Sequence, residues 1–97
     1  MKRPVRATRE YAEMLGIQAL AFIAEDNDRL ARFLGLSGIA ADDIRAAAGE
    51  PGFLAGVLEH MLGDESLLVA FASSAGIDPA AIARARAALG EATEHDG

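Results

Sequence analysis

A chain of 97 residues fits one domain, and with 52% hydrophobic and 25% charged residues it is too apolar for disorder. It contains no cysteine, which excludes disulfides, thiolate nucleophiles and cysteine-ligated zinc together. No apolar run reaches the roughly 18 residues of a membrane span, and no signal-peptide pattern opens the chain, so the expectation is a cytoplasmic protein without a membrane partner.

The net charge of −6 is unevenly spread. Lys2, Arg3, Arg6 and Arg9 put +4 on the first nine residues, which hold no acid. The rest carries five basic residues against 15 acids, or −10. Such a body repels phosphate backbones, so nucleic acid is a disfavoured partner unless the basic arm binds it. A self-docked or merely solubilising arm is the plainer reading.

In chain order, Thr8 caps a first helix over about Arg9–Ala24, with Glu10 and Glu13 complementing its dipole. Within it, Gly16–Asp26 holds only Gln18 as a polar side chain before Glu25. A helix apolar on nearly every face belongs at the centre of a bundle. Asp26 or Asn27 caps a second helix carrying Leu30, Phe33 and Leu34 on its inner stripe, with Arg29 and Arg32 outside, and Ser37-Gly38 stops it. A short third helix lies near Ala41–Ala48 and ends at Gly49. Pro51 opens a fourth with a wide apolar face (Phe53, Leu54, Val57, Leu58, Met61, Leu62) that Gly63 terminates. Asp64 caps a fifth, which Gly76 ends, and Asp78-Pro79 starts a sixth running to about Leu89. Nothing reads as a strand.

A shift of 38 residues superimposes the halves without a gap. Leu20 falls on Leu58, Asp26 on Asp64, Leu30 on Leu68, Phe33 on Phe71, Gly38 on Gly76, Ile44 on Ile82 and Ala47 on Ala85. Caps, stops and apolar anchors recur in one order, which points to two similar three-helix halves, against convergence of two helix hairpins. The alignment sets the first helix against Leu54–Gly63, giving two central helices rather than one. In the recurring Phe-x4-Gly-Ile, each glycine suits the left-handed position after a helix, with an apolar contact closing the end.

Candidates for chemistry are few. Gly76-Ile77-Asp78-Pro79 and Gly38-Ile39-Ala40-Ala41 partly match the helix-hairpin-helix turn that presents N–H groups to phosphate. Asp78 and Ala40 replace its second glycine, and a carboxylate there opposes a phosphate. His60 with Glu59, Asp64 and Glu65 is a thin metal lead, and Glu25-Asp26-Asn27-Asp28 lacks the spacing of a calcium loop. No Ser-His-acid set converges, so neither catalytic residues, nor a metal, nor a cofactor is assigned. Gln18 shares a helical face with Met14, Leu15 and Phe22, the side expected to be buried. As a buried amide it would need a partner, and Gly56, its counterpart in the repeat, leaves it room. A structural clasp is the favoured role for Gln18; the alternative places it, like His60, in a partner groove.

Leu15-Gly16-Ile17-Gln18-Ala19-Leu20-Ala21-Phe22-Ile23-Ala24, Leu30-Ala31-Arg32-Phe33-Leu34, Ser37-Gly38-Ile39 and Ala75-Gly76-Ile77-Asp78-Pro79 resemble a bacterial, chiefly alphaproteobacterial family, domain-of-unknown-function family 3572. The resemblance spans about Tyr11 to Leu89 and implies no activity. Arginine far outnumbers lysine, in keeping with such a source. The expected architecture is all-α, a compact bundle of about six short helices. It comprises a basic flexible arm at 1–8, one helical domain at 9–90 with halves 11–48 and 50–89, and a frayed tail at 91–97. The expected function is a small non-catalytic interaction module with a protein partner, a second copy included. The alternative is a nucleic-acid-associated protein using the arm.

Overall fold

A computed structural model describes residues 8–94, with side chains through Gly90. The chain forms α1 (Arg9–Ala24), α2 (Asn27–Ser37), a 3₁₀ turn (Ala41–Asp43) running into α3 (Ile44–Ala47), α4 (Pro51–Leu62), α5 (Glu65–Ala75) and α6 (Pro79–Glu94). The all-α bundle is as expected, and no strand occurs among the described residues.

Local chemistry sets the helix ends. The Thr8 hydroxyl accepts the Tyr11 N–H at 3.0 Å. Asp26 accepts from the N–H groups of Asp28 and Arg29, Asp64 from Leu67, and Asp78 from Ala80. Each carboxylate satisfies N–H groups that have no partner inside the helix. Asp78 thus serves the start of α6 as a cap. Gly38 and Gly76 take φ of 77° and 71°, the left-handed region expected of them. Their helix ends differ: Gly76 closes a double bond pattern, with Ile77 N–H donating to Ala72 C=O at 3.0 Å and Gly76 N–H to Ser73 C=O at 3.3 Å. At Gly38 a single bond to Leu34 C=O, 2.9 Å, does the work.

The core is three helices, not two. α4 packs most extensively on α6, and α1 packs on both. Ile23, Val57, Leu58, Met61, Ile82, Ala85 and Leu89 are fully buried there. α5 leans on α4 and α6, while α2 leans on α1 and sends Phe33 inward. No polar or charged residue is buried among the described residues.

The centrality of α1 needs correction. α1 packs on α6, α4 and α2, and these leave its outer face uncovered. α1 buries Ala12, Leu15, Gly16, Ala19, Leu20 and Ile23 on one face and leaves Met14 (47%) and Ile17 (49%) exposed on the other.

The 38-residue offset holds at the level of element bounds: α2 and α5 are each 11 residues long and displaced by that distance. It fails for the third members. α3 stops at Ala47 because Gly49-Glu50-Pro51 follows, whereas the corresponding Ala87-Ala88-Leu89 carries α6 through to Glu94, past the expected Leu89. Among the described residues no single helix is long and apolar enough to cross a membrane.

Candidate functional site

The feature richest in chemistry lies where α2 faces the end of α4. Gly63 stops α4 and Asp64 caps α5, so the α4–α5 turn brings Asp64 and Ser66 beside His60. Across from them α2 presents Asp28, Arg29 and Arg32, and these six side chains line a cleft of about 260 Å³. His60 also borders a second groove of about 470 Å³, lined mostly by apolar residues (Phe33, Leu36, Ile39, Phe53) and also by Glu59, which Arg86 pairs. One histidine therefore separates a charged cleft from a mostly apolar one.

His60 is held edge-on to Phe33, centroids 5.1 Å apart at 73°, and Phe33 meets Phe53 at 5.9 Å and 70°. Both are T-shaped contacts that fix the rings mutually. Burial pushes the His60 imidazolium below the ordinary histidine range; Asp64 opposes that shift and Arg32 adds to it. Its charged form is disfavoured there, which leaves the imidazole as a hydrogen-bonding group more than a charge.

Two of the described arginines are ion-paired, whereas Arg29 and Arg32, like Arg45 and Arg84, are not. Arg9 bonds Glu13 at 3.4 Å and Arg86 bonds Glu59 at 2.8 Å. Among the described residues no carboxylate lies within ion-pair distance of Arg29 or Arg32. Arg29 instead stacks over the Phe22 ring, 4.7 Å from its centroid, and Phe22 in turn rests 5.5 Å from Phe71. The cleft carboxylates serve helix ends: Asp64 accepts from Leu67, and Asp28 sits in the first turn of α2.

The expected site residues are thus partly relocated. His60 is in the cleft. Gln18 is exposed, not buried, because Leu15, Ala19 and Ile23 take the core face of α1 and leave Gln18 turned outward with Met14. It borders a shallow depression with Phe22, Glu25, Phe71 and Ser74, and Gly56, its counterpart in the repeat, faces open space, so no clasp forms between them. Lys2, Arg3 and Arg6 lie outside the described residues, and Arg9 is engaged by Glu13. Glu59 turns to Arg86 and away from the suggested metal group; no cluster of three or more metal-ligating side chains occurs among the described residues.

Arg29, Arg32 and Leu36 are the residues that the sequence left unmarked. With Phe33 they stand at i, i+3, i+4 and i+7, one stripe of α2. That spacing was readable. It was hidden because Leu30 and Leu34 defined a neighbouring stripe as the inner one.

A family model described as protein of unknown function (DUF3572) matches residues 9–92, and the chain belongs to that family. It is the family that the Gly16–Leu20 string indicated. No curated protein and no solved structure matches the chain.

Proposed function

We propose that the protein is a small non-catalytic interaction module whose binding surface is the groove between α2 and α4. The observation that carries this reading is Leu36, 70% exposed at the rim of an apolar concavity floored by Phe33 and Phe53. A lone exposed leucine is ordinary. One set beside a preformed aromatic floor extends that floor into a patch of the kind that partners cover. The T-shaped ring contacts keep the floor ordered before binding, which lowers the entropy cost of association.

A cytoplasmic setting and an alphaproteobacterial source belong to the same proposal. They rest on the lack of cysteine and on a basic complement almost wholly of arginine.

The test is photocrosslinking in the native cell, with a photoreactive residue at position 36 and, as control, at position 69. Val69 is also exposed, at 52%, but lies outside the groove. A discrete adduct from position 36 and none from 69 supports the proposal. Equal labelling from both positions, or none from 36, sinks it.

A further inference from the structure

We infer that the occupant of this groove is an acidic amphipathic helix, its apolar side chains over Phe33 and Phe53 and its carboxylates on Arg29 and Arg32. The inference rests on the groove being the interaction surface proposed above and adds the chemistry of the partner.

The argument is one of charge placement. Apart from its first nine residues the chain carries −10, and among the described residues four arginines (Arg29, Arg32, Arg45 and Arg84) have no carboxylate within ion-pair distance. Two of these occur three residues apart on one stripe of α2, and Leu36 continues that stripe at the apolar end. The Phe22 ring holds Arg29 in place without neutralising it, so the guanidinium is oriented before any partner arrives. Arg32 lies close enough to His60 to oppose its protonation, so its charge is felt at the junction of the two clefts. Asp28 and Asp64 also line the charged cleft, yet both are stabilised by helix N-termini rather than by the arginines.

A helix laid in the groove presents apolar anchors every three or four residues. Acids one turn beyond those anchors reach Arg29 and Arg32. A basic partner would place cation against cation, and a nucleic acid would meet two arginines but also an apolar floor and an acidic body.

The probe is a display library of random peptides about four helical turns long, selected on the full chain. Winners are then measured by fluorescence anisotropy on wild type, Leu36→Asp, and Arg29→Glu/Arg32→Glu. These positions are at or near the surface, and circular dichroism checks that each variant is folded. Expected winners pair apolar anchors with acids and lose about ten-fold or more on either variant. Their acid-to-lysine twins regain affinity for Arg29→Glu/Arg32→Glu. Winners lost on Leu36→Asp but indifferent to the arginines overturn this inference and leave the groove standing. No winners at all overturn both. A single-stranded oligonucleotide that binds more tightly than every peptide, and is lost on Arg29→Glu/Arg32→Glu, overturns it in favour of nucleic acid.

Discussion

A Cβ added to Gly16 falls 3.0 Å from the Cβ of Leu54, so α1 and α4 cross where α1 has no side chain. The close approach explains why a buried helix position tolerates a residue that costs roughly 1 kcal/mol of helix propensity.

Two substitutions separate propensity from packing. Gly16→Val is expected to destabilise by about 1–3 kcal/mol, since its Cβ alone comes 3.0 Å from the Leu54 Cβ and the added methyl groups force α1 and α4 apart. Gly35→Ala in α2, with nothing within 4 Å of the new Cβ, is expected to stabilise by about 0.5–1 kcal/mol. Urea unfolding of both variants decides it; equal effects of the same sign would show that Gly16 is not a contact glycine.

At the end of α5, Gly76 has open space around it but a φ of 71°, so any cost of replacing it is conformational. Gly76→Val is expected to cost about 2 kcal/mol or more, because a β-branched residue disfavours the left-handed region. Gly38→Asn, a residue that accepts this conformation, is expected to cost well under half of that. Thermal melts that rank the two variants the other way reject the account.

His60 predicts a pH dependence of definite sign. Its folded-state pKa is lowered by burial, so the unfolded chain binds the proton more readily. The related stability is present above the ordinary histidine value of about 6.5 and is lost as pH falls from there through the lower folded value. Denaturant midpoints should drop over that window in wild type and drop less in His60→Gln. An NMR titration giving His60 a pKa above that of a free histidine would remove the basis of this expectation.

The outer face of α1 (Tyr11, Met14 and Ile17) is apolar, yet three partly exposed side chains offer only on the order of 300 Å² against the roughly 800 Å² per partner of a stable interface. Sedimentation at micromolar concentration should therefore show a monomer. Ile17→Glu should leave stability within about 0.5 kcal/mol of wild type. A dimer dispersed by that substitution would instead assign the face to a second copy.

What was legible in the chain follows from the range of the forces involved. Thr8, Asp26, Asp64, Asp78, Gly38 and Gly76 act within a few residues of themselves, and each does what its type and position suggest. The side of α1 that faces inward is a tertiary matter. With apolar residues on nearly every face, periodicity could not choose between the Gln18 side and the Leu15–Ala19 side, and α6, whose Ile82, Ala85 and Leu89 complete the core, decided it. The charged cleft was illegible for the same reason: Arg29 and Arg32 are 28 or more residues from His60 and meet it only through the fold. Of the cleft residues, His60 and Asp64 stood out beforehand as neighbours at i and i+4 near a helix end, and Asp28 only as part of an acidic run.

α2 and α5, whose bounds correspond across the offset of 38, do not share their outward chemistry. Across the offset of 38, Arg29, Arg32 and Leu36 become Leu67, Ala70 and Ser74, while Phe33 remains Phe71. Both phenylalanines are buried, so each helix keeps its anchor. Only α2 arms its remaining stripe with charge and an exposed leucine. The exposed positions of that stripe, Arg32 and Leu36, are thus separable from the anchor Phe33, which belongs to the core.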